Sequence, residues 1–131
     1  MSRDEQTSPT LLPPIGIDLD GTIDESLPFF QWLSHTWPGG VLILTYRTDR
    51  EKAVSDLVKL GIRYDTLVLV SSFAEKAVVI AREGIRIYFD DQDEMTADIP
   101  EDVTVFKIRN GGNFDFDVKK WLYSDQTGRR L

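Results

Sequence analysis

The chain has no cysteine, one histidine and two methionines. Without thiols, disulfides and thiolate metal sites are excluded, so any bound metal is expected to be a hard ion held by oxygen. The single histidine, His35, follows no ligand spacing and reads as a surface residue. No apolar run approaches the ~20 residues that a membrane-crossing helix needs. Cationic residues are in the minority, 15 against 22 acidic ones, for a net charge of −7. That balance opposes nonspecific attachment to nucleic acid or to an anionic membrane, both of which need a cationic face. It leaves room for a small anionic substrate in a locally positive pocket. The start Met1-Ser2-Arg3-Asp4-Glu5-Gln6 lacks the basic and apolar regions of a secretory signal. A soluble, cytoplasmic protein is expected.

What is present fits one domain. With 131 residues, 41% of them hydrophobic, the chain can bury one core and hardly two. Residues 1–14 are polar and then proline-rich and read as a loose arm, 15–123 as the domain, and 124–131 as a frayed tail. Within the domain, apolar runs alternate with helical patterns. Strands are expected at Ile15–Ile17, Val41–Leu44, Thr66–Val70, Ile85–Phe89 and Val103–Ile108. Helices are expected over 27–33, over 50–60 with Gly61 as its C-terminal cap, over 74–82 with Gly84 beyond, and over 118–123. Strands that are apolar throughout and alternate with helices predict a parallel sheet covered on both faces. The fold class is therefore α/β, a Rossmann-like three-layer sandwich around a five-stranded, mainly parallel sheet.

In such sheets ligands bind beyond the C-terminal strand ends, and the polar residues of this chain collect there. The first strand ends in Asp18 and Asp20, followed by Gly21; the second ends in Thr45, the fourth in Asp90-Asp91, and Lys76 opens the helix after the third. Two carboxylates at the end of a buried strand repel each other and are poorly solvated, so they need a cation or must give up ionisation. Each residue also has a plainer use: Asp20, Thr22 or Thr45 as helix caps, Lys76 as a solvated lysine, Asp90-Asp91 as a turn. It is their joint placement that points to a site.

Asp18-Leu19-Asp20-Gly21-Thr22, Thr45, Lys76 and Asp90-Asp91 occur in the order of the four motifs of the haloacid dehalogenase superfamily, mostly phosphohydrolases, which the sequence resembles over most of its length. The resemblance implies that Asp18 is the nucleophile that forms an aspartyl-phosphate, and that Asp20 is the general acid and then the base. It implies that Thr45 and the backbone N–H groups of Leu19, Asp20 and Tyr46 cradle the phosphoryl oxygens, and that Lys76 neutralises charge between Asp18 and phosphate. Magnesium would be held by the Asp18 carboxylate, the Asp20 main-chain carbonyl and Asp91, with Asp90 supporting Lys76.

The chain departs from the family pattern in places. Tyr46 stands where glycine is common and would narrow or line the pocket. Arg47 is a candidate substrate contact or a solvated helix-start residue. Met95 occupies the usual place of a further acid, with Asp93 and Glu94 as imperfect substitutes. Neither interval between motifs has room for a cap domain. An uncapped site suits a nucleotide, a nucleic-acid end or another bulky phosphorylated substrate, with a small molecule or nucleotide favoured over long nucleic acid by the acidic charge. Phe29, Phe30, Trp32 and Trp37 would suit base stacking, but core packing is the expected use. The competing function is a noncatalytic phosphate-binding or interaction domain on the same fold.

Overall fold

The computed structural model describes residues 12–92, 98–109 and 114–121. Residues 12–14 run without regular structure into β1 (Ile15–Asp18), which a five-residue wide turn (Leu19–Ile23) and a short 3-10 turn (Asp24–Ser26) join to α1 (Leu27–Thr36). There follow β2 (Val41–Thr45), α2 (Arg50–Leu60), β3 (Thr66–Leu69), α3 (Phe73–Arg82), β4 (Ile87–Asp90) and β5 (Thr104–Lys107). The five strands form one sheet of order β3-β2-β1-β4-β5, and every neighbouring pair is parallel. Among the described residues no cap domain is inserted between these elements.

Helix limits follow local chemistry. Asp49 caps α2, its side chain accepting from the Lys52 N–H at 3.0 Å, and Gly61 ends it in the left-handed region with φ of 71°. Ser72 caps α3 through the Glu75 N–H at 3.0 Å, one residue earlier than the apolar spacing alone suggests. Leu33 and Phe30 of α1 and Ala53 and Leu57 of α2 pack with Ile15, Ile17 and Ile43 on one face of the sheet. Val79 and Ile80 of α3 pack with Leu42, Leu44 and Tyr88 on the other. The alternation of strand side chains between faces thus separates two apolar layers around the central strands.

Three expectations need correction. The central strands β1 and β2 are wholly buried, but the edge strands are not: exposed and half-buried residues alternate along β5, as water reaches one side. No helix forms in the described part of 118–123. Phe114–Asp115 and Lys120–Trp121 instead pair as an antiparallel hairpin, β6 and β7. The Asp115 Oδ1 accepts from the N–H groups of Asp117 (2.9 Å) and Val118 (3.2 Å), and Lys119 turns the chain at φ of 58°. This side-chain bonding competes with the helix that the apolar spacing suggested. Finally, core packing accounts for Phe30, which is fully buried, and partly for Trp37, whereas Phe29 is 42% and Trp32 60% exposed. His35 is exposed, its Nε2 2.9 Å from the Gly61 carbonyl. Asp93, Glu94 and Met95 and the tail 124–131 lie outside the described residues.

Candidate active site

The C-terminal ends of β1, β2 and β4 bring Asp18, Thr45, Asp90 and Asp91 together beside the start of α3. Gly16 and Asp18 share one face of β1, Tyr88 and Asp90 the same face of β4, and α3 covers that face. Gly16 has a steric reason to be there, because a β-carbon on it would lie 2.8 Å from Cδ1 of Tyr88.

Lys76, in the first turn of α3, is 1% exposed, and its ammonium joins two strands. Nζ donates to Asp18 Oδ1 at 2.8 Å and to Asp90 Oδ2 at 2.9 Å. The Tyr88 hydroxyl donates to the same Asp90 oxygen at 2.7 Å, and the Gln92 N–H donates to Asp90 Oδ1 at 3.0 Å. Thr22 donates to Asp18 Oδ2 at 3.0 Å, so the turn after β1 helps to orient that carboxylate. Asp18, Asp90 and Asp91 are all buried, and each offers an oxygen within 4.8 Å of the others.

Three carboxylates around one ammonium leave an imbalance, and the acidities divide accordingly. Burial pushes the Asp18 carboxyl well above the usual range, with the Asp90 charge adding to it and Lys76 opposing. Burial and the neighbouring Asp90 push Asp91 up to about 7. Asp90 goes the other way: burial would raise it, but Lys76 and its hydrogen bonds outweigh burial and hold it ionised. Burial likewise opposes the Lys76 charge, and the Asp18 and Asp90 carboxylates overcome that and keep it protonated. A hard divalent cation among Asp18, Asp90 and Asp91 would remove the imbalance with the all-oxygen ligands such ions take. Within the acidic pair, Asp90 is the one that meets Lys76, with Tyr88 and the Gln92 N–H as its further donors. Behind this loop, Arg109 donates to the Asp91 carbonyl and Lys107 to the Gln92 carbonyl.

The remaining expected residues are disposed as follows. Leu19 is buried in the core, and Thr45 is buried at the end of β2, where Oγ1 accepts from the Arg47 N–H at 3.2 Å. The Tyr46 ring stands beside the site. Its centroid is 4.6 Å from Lys76 Nζ and 5.4 Å from that of Phe73, to which it packs nearly perpendicular, so the ring walls the ammonium side. The Asp20 carboxylate is outside the acidic triad, held by Arg47 through Nε–Oδ2 and Nη2–Oδ1 bonds of 2.8 Å each. Arg47 is therefore no solvated helix-start residue; its side chain is 13% exposed and its third bond, at 2.6 Å, goes to Asp56.

Sequence reasoning missed Tyr88 and Asp56 and gave Thr22 only a capping role. Tyr88 was within reach, being two residues before Asp90 on the same face of a strand. Asp56 left a fainter trace, a carboxylate where the apolar stripe of α2 runs between Ala53 and Leu57.

A concavity of about 510 Å³ lies at the other end of the strands, among Leu12, Pro14, Pro38, Gly39, Gly40, Arg63 and Asp65. Arg63 is committed there to the carbonyls of Ser34, Trp37 and Gly39, which makes that end a structural tie. No helix among the described residues is long and apolar enough to cross a membrane. Comparison of the chain with protein-family models, curated proteins and solved structures found no match.

Proposed function

We propose that this protein is a magnesium-dependent phosphohydrolase of the haloacid dehalogenase type, acting on phosphomonoesters through an aspartyl-phosphate. The observation that carries the reading is the buried Asp18–Lys76–Asp90 bridge with Asp91 beside it, at the end of a parallel sheet. An ion pair kept only for stability has no need of a third, uncompensated carboxylate.

In this mechanism an Asp18 oxygen attacks phosphorus as the bond to the leaving oxygen breaks, and Asp20 supplies the proton which that oxygen takes. Asp20 then receives a proton from the water that attacks phosphorus and releases Asp18. Lys76 offsets the charge between carboxylate and phosphoryl group, and Thr45 with the N–H groups of Leu19, Asp20 and Tyr46 holds the phosphoryl oxygens. Asp18, Asp91 and the Asp20 carbonyl would hold magnesium, with Asp90 supporting Lys76. Bound there, the ion supplies positive charge to the phosphoryl oxygens and allows Asp18 to approach as a carboxylate.

The uncapped strand ends favour a substrate whose own bulk closes the site, such as a nucleotide, a nucleic-acid end or another large phosphomonoester. Arg47 faces Asp20 and is assigned to that partner ahead of the substrate. A cytoplasmic location suits this chemistry. Incubation with p-nitrophenyl phosphate and magnesium is expected to release nitrophenol, at a rate that Asp18→Asn abolishes and chelation of the metal suppresses. No turnover on a broad phosphomonoester panel would leave the noncatalytic phosphate-binding domain as the better reading.

A further inference from the structure

α2 carries a carboxylate where its core-facing stripe would otherwise be apolar. Asp56 lies beside the buried Ala53 and Leu57 and is itself 7% exposed. Aspartates are seldom so buried unless paired. Its Oδ2 accepts from Arg47 Nη1 at 2.6 Å, and the other edge of the same guanidinium forks onto both oxygens of Asp20. Lys52 closes the outward side, at 2.7 and 2.9 Å from the two Asp56 oxygens. A guanidinium is rigid and planar, so fixing Nη1 fixes the directions of Nε and Nη2 as well. Asp20 has little orientation of its own. It sits in extended backbone within the turn after β1, with Gly21 at φ of 84° behind it and its side chain 24% exposed.

We propose that Asp56 is a positioning residue, acting through Arg47 to fix the orientation of the Asp20 carboxyl. The role rests on the phosphohydrolase reading, and Asp56 itself touches no substrate. A plain helix-stabilising pair with Lys52 would work equally well on the exposed side of α2, and would require neither burial nor contact with Arg47. The bracket also joins two segments 27 residues apart, tying the turn after β1 to the loop after β2.

Steady-state hydrolysis of p-nitrophenyl phosphate and of an alkyl phosphate, with saturating magnesium, tests this. Asp56→Asn is expected to lower kcat for the alkyl ester roughly 10- to 100-fold with KM little changed, as a displaced catalytic group does. The loss should be smaller for nitrophenyl phosphate, whose leaving oxygen needs no proton. In an Asp20→Asn background the same change should cost less than about twofold, because its target is already gone. Lys52→Met, which removes only the outward and half-exposed cation, should stay within about twofold of the unmutated rate. Equal slowing of both esters, additivity with Asp20→Asn, or a Lys52→Met loss as large as that of Asp56→Asn would overturn the assignment. A crystal structure of Asp56→Asn with Arg47 still on both Asp20 oxygens would overturn it too. Should the unmutated protein hydrolyse neither ester, the phosphohydrolase reading falls and takes this role with it. Normal kinetics of Asp56→Asn in an active protein defeats the inference alone.

Discussion

At Asp90, donors from α3, from β4 and from the following loop converge on one buried carboxylate: Lys76 Nζ and the Tyr88 hydroxyl on Oδ2, the Gln92 N–H on Oδ1. Removing one leaves charge that water cannot reach. Tyr88→Phe is expected to destabilise the fold by about 1.5–3 kcal/mol, the usual worth of a hydrogen bond to a charged group, as read by urea unfolding. A change under about 0.5 kcal/mol would mean that the hydroxyl is not needed to hold Asp90. The contrast between Asp90 and Arg47 shows what a sequence exposes at this scale. Asp18, Lys76 and Asp90 stand out because each ends a strand or opens a helix where polarity is conspicuous. Arg47 reads as either a substrate contact or a solvated residue because its partners, Asp20 and Asp56, come from a turn and a helix face whose meeting no local spacing encodes.

Among the elements, α2 is the one whose limits are readable to the residue, and its ends explain why. Asp49 and Gly61 each do what only a few residue types can, the first supplying a side-chain acceptor and the second a left-handed backbone. Gly61→Ala is expected to cost roughly 1 kcal/mol, since alanine is strained at φ of 71° although its β-carbon would meet only Gln31 Nε2, at an ordinary 3.6 Å. Thermal or denaturant unfolding would show it, and an unchanged midpoint would mean that the helix end relaxes. The hairpin of β6 and β7 is the opposite case. Its apolar residues suit a helix as well as a strand pair, and the decision falls to the Asp115 side chain and to a positive φ at Lys119. Neither is visible as periodicity. Strand ends are legible for the reason that helix ends are, whereas the exposure of β5 is set by its place at the sheet edge, which is a property of topology.

For the whole molecule, the unbalanced carboxylates tie stability to pH and to metal. Folded Asp91 ionises at about 7 against an ordinary value of 3.8, so the native state binds the extra proton between those values. That contribution is full at the acid end of the window and is lost as pH rises through about 7; Asp18, also raised, acts in the same sense. Asp90 and Asp56 are lowered and act oppositely, their contributions being present above the ordinary value and lost on acidification below it. Between pH 5 and 7.5, then, the metal-free protein should lose melting temperature as pH rises. Magnesium, which favours the ionised carboxylates, should flatten that slope. At ~100 times its dissociation constant it adds about 2.7 kcal/mol, or roughly 10 °C for a chain of 131 residues. A melting temperature that rises over this window in chelator, or that ignores magnesium at pH 7.5, would count against a metal site at Asp18 and Asp91.

The strand order has a further consequence, in time. β1 lies at the centre of the sheet, yet its neighbour β4 and the lysine that meets Asp18 come late in the chain, Lys76 following by 58 residues. At the usual 5–20 residues per second of synthesis, Asp18 leaves the ribosome roughly 3–12 s before the ammonium that will neutralise it. Until then β1 can pair only with β2, and one of its edges stays open to other strands. Ribosome-bound chains halted before β4 would therefore be the form of this protein most in need of a chaperone.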